Sequence, residues 1–313
     1  MNGKKIVMIA VAAVIVITLF LSVRDVFLGR GDYAPNKSSS QGGGLALIYV
    51  EGEISGGRSQ GAGIMTVSGG MDHVLEQLRD ARLNPSVEAV VLRVNSPGGT
   101  ASATQEIHSE ILKLREDGKV VVVSMSDMAA SGGYYISVAA DHIMANPGTT
   151  TGSIGVILQH ISLEELFEEL GIEFETIKSG EFKDIGDISR AMTSEEREIL
   201  QSFSQDVYEQ FVEAVASGRN MSKEQVLALA DGRVFTGRQA LELGLVDELG
   251  NIYDAVDRAA ELAGMEGAPN IIGHGGITFW DIFFGSSINS PIDSRNFLEH
   301  LYFYRWNRGV EIR

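Results

Sequence analysis

The sequence contains no cysteine. Disulfide bonds, thiolate catalysis and cysteine-based metal sites are therefore excluded. Positive charge is also scarce, because 25 lysines and arginines stand against 42 aspartates and glutamates, for a net charge of −17. A nucleic-acid-binding surface needs an excess of basic residues, so we expect no nucleic-acid partner. The 313 residues are 44% hydrophobic, which is enough to bury one large core or two smaller ones.

One long stretch near the N-terminus carries no charge. Residues 6–23 are uncharged and follow Lys4 and Lys5. Their number is close to the roughly 20 residues that span a bilayer as a helix. The stretch ends without a good small-x-small cleavage site, so it favours an uncleaved signal-anchor over a cleaved secretory signal. We predict a transmembrane helix with a short N-terminal tail at residues 1–24; Arg24 and Arg30 leave only a weak charge bias, towards an inside N-terminus.

The next residues, 25–44, are rich in glycine and serine and are predicted to form a flexible linker. Beyond them, apolar runs alternate with amphipathic stretches. Strands are predicted at residues 45–50, 87–95, 120–125, 141–145 and 151–158, and helices at residues 71–83, 102–115, 134–140 and 193–217. Thr193 and Glu196 form a capping box at the start of the last helix, and Gly218 is expected to end it. The alternation predicts an α/β domain with a parallel sheet.

Ser131 lies in an Ala-Ser-Gly-Gly sequence between a predicted strand and a predicted short helix. Small neighbours leave its hydroxyl uncrowded, and the free N–H groups of a helix start can stabilise an oxyanion. Ser131 is therefore a candidate nucleophile. The alternative is a tight turn in which the serine side chain caps the helix.

A second candidate is the Asn-Ser-Pro-Gly-Gly sequence at residues 95–99, which also follows a strand and precedes a helix. Adjacent glycines allow another chain segment to approach their N–H groups closely. The pair Gly98 and Gly99 can therefore supply an oxyanion donor to the site of Ser131, or can simply form a strand-to-helix turn.

A nucleophilic serine needs a base, and no histidine lies in a context that marks it as a triad partner; His73 and His108 are expected to be solvated on helix surfaces. A lysine can replace histidine if burial lowers its pKa from about 10.4 towards neutrality. The candidates are Lys178 and Lys183, although a surface position is the commoner one for lysine.

These motifs are accompanied by others in a fixed order. They are Asn-Pro-Gly-Thr at residues 146–149, Thr-Gly-Ser-Ile-Gly-Val at residues 151–156, Lys-Ser-Gly at residues 178–180 with Phe182 and Lys183, and Gly-Arg-Val-Phe-Thr-Gly-Arg-Gln-Ala at residues 232–240. In this order they resemble the signal peptide peptidase A family, and the resemblance covers residues 45–264. It implies a Clp-protease/crotonase-like fold and a membrane-anchored serine protease that needs no cofactor and no metal ion.

The resemblance also implies a role for each matching residue. Ser131 is the nucleophile and Lys183 the general base of a Ser-Lys dyad, and the Ser153 hydroxyl holds the lysine amine in place. The N–H groups of the Gly98 and Gly99 pair and of Gly132 form the oxyanion hole. Removal of either dyad member is expected to cost several orders of magnitude in rate, because the two groups act as one unit.

The resemblance further implies a homo-oligomeric ring in which neighbouring protomers contribute Ser131 and Lys183 to one site. Its substrates are expected to be remnant signal peptides, held in an apolar groove near the membrane. The protein is then a single-pass protein of a prokaryotic plasma membrane, in contact with lipid through its N-terminal helix, with the protease domain on the extracytoplasmic side. Residues 265–313 form a C-terminal extension with many aromatic residues, expected to pack on their own domain, on a neighbour or on lipid.

Three other classes remain open at this stage. A crotonase-like acyl-CoA enzyme shares the fold but needs no serine in this turn. A membrane scaffold needs neither Ser131 nor Lys183. A Clp-type Ser-His-Asp protease would place a histidine about 25 residues after the nucleophile, where this chain has Val156 instead of a histidine. A protease that acts on other membrane-associated peptides is the alternative closest to our prediction.

Overall fold

Strands and helices alternate through the computed structural model, which describes residues 43–57 and 71–273. The strands are β1 (Gly44–Glu51), β2 (Val87–Ser96), β3 (Val120–Ala130), β4 (His142–Ala145), β5 (Thr150–Gly152), β6 (Val234–Thr236), β7 (Glu248–Leu249) and β8 (Asn270–Gly273). The helices are α1 (Met71–Leu83), α2 (Ala101–Glu116), α3 (Gly132–Ser137), α4 (Glu164–Glu169), α5 (Ser194–Arg219), α6 (Lys223–Leu227), α7 (Gly237–Glu242) and α8 (Ile252–Leu262).

The described strands form one sheet in the order β6-β5-β3-β2-β1-β8, with β4 beside β3 and β7 beside β4. Every pair is parallel except β5 with β6. Strand β3 is long enough for β4 to pair with residues 122–125 and β5 with residues 128–130 along the same edge. The predicted α/β class with a parallel sheet is confirmed.

The central strands are apolar on both faces, because helices cover both sides of the sheet. Alternate residues of β2 enter different clusters: Val90 and Leu92 pack with α1, α2 and α5, whereas Ala89 and Val91 pack against α8. All four of these side chains have no exposed surface. This burial on both faces explains why β2 and β3 appear in the sequence as continuous apolar runs rather than as alternating patterns.

Local capping signals set the helix starts. Thr193 and Glu196 form the predicted capping box of α5, and Ser222 with Gln225 and Thr236 with Gln239 form the same motif at the starts of α6 and α7. The predicted end of α5 was wrong. The helix passes through Gly218 and ends at Arg219, and Asn220 caps it with a left-handed φ of 51°. Gly218 is instead a packing position, because a Cβ there would lie 2.1 Å from the carbonyl oxygen of Val138.

Two further elements differ from the sequence prediction. Strand β5 covers only Thr150–Gly152, and residues 153–163 have no regular structure. The C-terminal boundary at residue 264 leaves out β8, which pairs in parallel with β1 and so belongs to the sheet. The predicted transmembrane helix, most of the linker and the extension beyond residue 273 lie outside the described residues. Within residues 43–57 and 71–273, none of the helices has both the length and the hydropathy needed to cross a bilayer.

The prediction that His108 is a solvated side chain was wrong. Its ring makes an edge contact with Tyr135 at 4.9 Å between centroids, and Tyr135 in turn packs 5.0 Å from Phe211. Burial, together with the charge of Arg115, lowers the pKa of His108 from 6.5 to about 4. The folded protein therefore holds this imidazole neutral at pH values where the unfolded chain protonates it.

This shift makes stability depend on pH. The unfolded chain takes up a proton near pH 6.5 and the folded chain only near pH 4, so stability that is present above pH 6.5 is lost as pH falls through this window. In urea titrations at pH 7 and pH 5, we expect the free energy of unfolding to fall less in His108→Gln than in the parent, and the difference to be at most about 2 kcal/mol. His73→Gln, at an exposed position of α1, is the matched control. An equal loss in His108→Gln and the parent would contradict the prediction.

Candidate active site

Ser131 occupies the junction between β3 and α3 in a conformation that few residues other than glycine adopt. Its φ is 51° and its ψ is −120°. The backbone is held there from both sides, because the Ser131 N–H donates to the Gly152 carbonyl at 2.8 Å and its carbonyl accepts from Tyr134 and Tyr135 at 2.9 Å. Such strain persists only where the surrounding structure imposes it, and it concentrates at functional sites.

The hydroxyl of Ser131 is not used to build the turn. Ser131 is the N-cap residue of α3, but its side chain accepts no capping hydrogen bond. This geometry disfavours the helix-cap alternative for Ser131. Among the described residues, its Oγ has no hydrogen-bond partner, and the residue is partly exposed. The strained turn therefore presents an unengaged hydroxyl towards solvent.

The glycines at residues 98 and 99 lie directly against this turn. A Cβ added to Gly98 would lie 2.6 Å from the Gly132 nitrogen and 2.8 Å from the Ser131 Cβ. A Cβ added to Gly132 would lie 3.1 Å from the Gly99 nitrogen. The structure thus brings Gly98, Gly99, Ser131 and Gly132 together, as the sequence predicted.

Two backbone N–H groups in this cluster are unengaged. Within the described part of the chain, neither Gly99 nor Gly132 donates its N–H to a hydrogen bond. Gly132 begins α3, where N–H groups have no partner inside the helix. Two free donors beside one free hydroxyl form the arrangement that stabilises the oxyanion of acyl transfer.

The loop of Gly98 and Gly99 is fixed by the segment that follows β1. Ile54 donates its N–H to the Gly98 carbonyl at 2.9 Å and accepts from the Thr100 N–H at 2.8 Å. The buried Ser96 hydroxyl accepts from the Gly98 N–H at 3.1 Å. These bonds use the groups on either side of the Gly99 N–H and leave that donor unpaired.

Helix α3 is anchored below the turn by Tyr134. This side chain is fully buried, and its hydroxyl donates to the Leu245 carbonyl at 2.9 Å. Burial raises the pKa of the phenol far above its usual value, so the group remains a neutral donor. The start of α3, and with it Ser131, is therefore tied to the core rather than to the surface.

Ser153 is close to this turn through the backbone. Its φ is 52°, and its N–H donates to the Arg233 carbonyl at 2.9 Å. The preceding carbonyl, that of Gly152, is the acceptor of the Ser131 N–H. Apart from Asn220 in a helix cap, Ser131 and Ser153 are the non-glycine residues with positive φ among the described residues. Strain is thus concentrated at two predicted site residues.

The two candidate bases, Lys178 and Lys183, both lie at exposed positions. Lys183 is exposed in a turn, and within the described part of a single chain its ammonium makes no hydrogen bond to Ser131 or Ser153. Lys178 forms an ion pair with Asp184 at 2.6 Å. A general base needs an amine that is free to reach the nucleophile, and the Lys178 amine is engaged by Asp184, so Lys178 is the poorer candidate of the two.

The sequence patterns did not predict the charged side chains near the turn that carries Lys183. Asp184 and Glu196 both bind Arg190, and these hydrogen bonds lower the pKa of Asp184 below its usual range and that of Glu196 to about 2. Glu196 was identified only as a member of a capping box. The pairing with Arg190 has no local pattern in the sequence that would have revealed it.

Comparison with known proteins supports a peptidase. Residues 113–266 match the model of peptidase family S49. A relative from Synechocystis sp., named "Putative protease slr0021", is 49% identical over 222 residues, which are 71% of this chain and 75% of the relative. The chain belongs to peptidase family S49. It is a serine peptidase.

A second S49 relative has a name that bears on substrate. The Enterococcus faecium protein named "Putative signal peptide peptidase SppA" is 43% identical over 183 residues, which are 58% of this chain and 53% of the relative. This chain therefore spans about half the length of that protein. A solved ClpP1 mutant from Listeria monocytogenes is similar over 67% of this chain and 93% of its own, at 19% identity and a TM-score of 0.43.

The S49 match contains part of the candidate site. Ser131, Ser153 and Lys183 lie inside residues 113–266, whereas Gly98 and Gly99 precede them. The fold joins the two parts, because β2 and β3 are neighbours and their carboxyl ends lie at the same edge of the sheet. The glycine loop of this S49 peptidase therefore lies against Ser131, although it precedes the matched residues.

Gly98 offers a test of this close approach. Gly98→Ala places a methyl group 2.6 Å from the Gly132 nitrogen, and the φ of 104° at this position is strained for alanine. We expect the oxyanion donors to move apart and the hydrolysis of a fluorogenic peptide to fall by about 100-fold. Gly148→Ala is the matched control, because no atom lies within 4 Å of its added Cβ. Parental activity in Gly98→Ala would rule out this loop as part of the site.

Proposed function

We propose that this S49 peptidase hydrolyses peptide bonds with a Ser-Lys dyad, with Ser131 as nucleophile and Lys183 as general base. The observation that carries the proposal is the strained Ser131 turn, whose unengaged hydroxyl lies beside the free N–H groups of Gly99 and Gly132. Among the described residues, no histidine hydrogen-bonds to Ser131, which favours lysine over the histidine of a Clp-type triad.

In the proposed reaction, the neutral Lys183 amine takes the proton of Ser131 Oγ as this oxygen attacks the carbonyl carbon of a peptide bond. The Gly99 and Gly132 N–H groups stabilise the oxyanion of the tetrahedral intermediate. The protonated amine then gives its proton to the leaving nitrogen, and an acyl-enzyme remains. Lys183 next accepts a proton from water as the water oxygen attacks the acyl carbon. The ester bond to Ser131 Oγ then breaks, the amine returns the proton to Oγ, and the peptide acid leaves. The Ser153 hydroxyl is proposed to orient the amine.

The surroundings of Lys183 support a site that is completed by a second copy of the chain. The base must lose contact with bulk water to be neutral near physiological pH, yet Lys183 is exposed in a single chain. We name residues 155–193, between β5 and α5, the base segment; none of these residues is buried. It exposes large apolar side chains at Ile157, Leu158, Ile161, Leu166, Leu170, Ile172, Phe174, Ile177 and Ile188.

Exposed apolar side chains in such density are typical of a protein interface. Ile177, which is 94% exposed, lies six residues before Lys183 in the chain. Packing of the base segment against a neighbouring protomer would bury these side chains and remove water from the lysine. The proposed assembly is the homo-oligomeric ring implied by the family resemblance, with Ser131 and Lys183 supplied by adjacent protomers.

The proposed substrates are remnant signal peptides, as the family resemblance implies and as the name of the Enterococcus faecium relative suggests. Their apolar residues match the apolar surface of the base segment. The proposed location is the plasma membrane, with the protease domain on the extracytoplasmic side and residues 1–24 as the membrane anchor. Other membrane-associated peptides are the second candidate substrate, because the same apolar surface would accept them.

The dyad is tested with single substitutions in the full chain. We expect Ser131→Ala and Lys183→Ala each to reduce the hydrolysis of a fluorogenic peptide by roughly 10⁴-fold or more, because nucleophile and base act as one unit. Lys178→Ala distinguishes the two lysines, and we expect it to retain activity that Lys183→Ala lacks. Parental activity in Ser131→Ala or Lys183→Ala would refute the dyad.

Shared sites are tested by mixing. Subunits of the inactive Ser131→Ala and Lys183→Ala variants are exchanged under conditions that allow reassembly. If one site takes its serine and its lysine from different protomers, some sites in mixed assemblies contain both native residues, and we expect part of the activity to return. Ser131→Ala mixed with the Ser131→Ala/Lys183→Ala double variant is the control that has no native serine. Mixed assemblies without recovered activity would place both residues in one protomer.

A further inference from the structure

A network of charged side chains connects the turn that carries Lys183 to the start of α5. Arg190 is at its centre, between Asp184, the residue after Lys183, and Glu196, in the first turn of α5. Its Nε donates to Asp184 Oδ2 at 3.1 Å, and its Nη1 donates to Glu196 Oε2 at 2.9 Å. Its Nη2 reaches the second oxygen of each carboxylate. Arg190 therefore binds two carboxylates at once, each through two contacts.

The network is fixed at the α5 end. Glu196 also accepts the Thr193 N–H at 2.9 Å as the capping-box residue of α5, and its side chain is 3% exposed. The Asp184 side chain is 11% exposed. Carboxylates with so little access to water require a bound cation, and the planar guanidinium of Arg190 matches their geometry.

The turn itself is compact, so a contact to Asp184 also restrains Lys183. The Lys183 N–H donates to the Gly180 carbonyl at 3.2 Å, and the Asp187 N–H donates to the Asp184 carbonyl at 3.0 Å. No residue of the base segment is buried, so the hydrophobic core does not hold this turn. The charged network attaches Asp184 of this turn directly to the first turn of α5. The residues that follow the turn are also tied to α4, because the Leu163 N–H donates to the Ile188 carbonyl and the Ala191 N–H donates to Glu164.

We propose that Arg190 is a positioning residue for Lys183, which it holds in place through Asp184 by attaching the turn to the start of α5. This inference rests on the proposed role of Lys183 as the general base. Arg190 touches neither the substrate nor the reacting atoms. It restrains the position from which the Lys183 amine approaches Ser131. A small misplacement of a base is enough to slow proton transfer greatly.

The low pKa values of the two carboxylates agree with this arrangement. Hydrogen bonds from Arg190 lower the pKa of both Asp184 and Glu196, and the ammonium of Lys178 lowers that of Asp184 further. Both groups are therefore ionised throughout the range in which a neutral amine can act as a base. The network remains intact over the working range of the enzyme.

The test compares Arg190→Gln, Arg190→Lys and Asp184→Asn in the full-length assembled protein, with kcat and KM measured on a fluorogenic apolar peptide. We expect Arg190→Gln to reduce kcat roughly tenfold or more with KM changed less than about twofold. Arg190→Lys keeps the positive charge but lacks the planar guanidinium that binds two carboxylates at once. We therefore expect its kcat to lie between those of Arg190→Gln and the parent. In the double variant with Asp184→Asn, we expect no further loss beyond Arg190→Gln, because both changes break the same link.

Arg258→Gln is the matched control. Arg258 also binds two carboxylates, those of Glu248 and Glu261, and its side chain is 32% exposed against 29% for Arg190. It lies in α8 rather than next to Lys183 in the chain, and we expect parental kcat.

Three results would overturn the inference. They are a parental kcat in Arg190→Gln, a loss in the double variant equal to the product of the single losses, and a loss that comes with a changed oligomer size in both Arg190 variants. The last result would assign Arg190 to assembly. Ser131→Ala and Lys183→Ala are measured in the same assay, and their activity separates the two proposals. If both are inactive while Arg190→Gln is parental, only the positioning role fails, whereas activity in either one refutes the dyad itself.

Discussion

The candidate site depends on the contact of two backbone segments with no side chain between them. Gly98 and Gly99 follow β2, Ser131 and Gly132 follow β3, and an added Cβ at Gly98 would lie 2.6 Å from the Gly132 nitrogen. The two strands are parallel neighbours, so their carboxyl ends meet at one edge of the sheet. The approach leaves the N–H groups of Gly99 and Gly132 beside the Ser131 hydroxyl. A side chain at Gly98 or Gly132 would enter this contact, and one at Gly99 would clash with the Ile54 carbonyl that holds the loop.

The two halves of the proposed dyad are held by different forces. The serine half rests on the core, because Tyr134 is fully buried beneath the turn and Ser96 is buried beneath the glycine loop. The lysine half has no buried residue in the base segment and is attached through Arg190. Hydrophobic packing gives the nucleophile a position that one chain can define alone. Ion pairs hold the proposed base on an exposed segment, as the proposed shared site requires.

The family match and the geometry of the sheet account for different parts of the candidate site. The S49 match covers the serine, the lysine and the segment between them, and it makes the chain a serine peptidase. The glycine loop before it becomes part of the site only through the sheet, since β1, β2 and the Ile54 bonds place it against Ser131. In the proposed site, the matched segment contains Ser131 and Lys183, and the part before it adds the Gly99 N–H as a proposed oxyanion donor.

The sequence by itself determined the features that depend on nearby residues. Apolar runs predicted β2 and the first half of β3, helical periodicity predicted α1 with its observed bounds, and the capping box at Thr193 and Glu196 predicted the start of α5. The candidate nucleophile was also found in this way, because small residues between a strand and a helix are a local signal. Each of these features arises from interactions within a few positions of the chain.

Tertiary structure alone decided the rest. Folding brings Val138 against Gly218, so the glycine that was predicted to end α5 lies inside the helix instead. It turns His108 from an exposed side chain into a partner of Tyr135, and it joins Arg190 to two carboxylates. It also distinguishes Lys178, which is paired with Asp184, from Lys183, which is not. Which groups meet across the chain depends on how the elements pack, and no pattern within a short stretch of sequence contains that information.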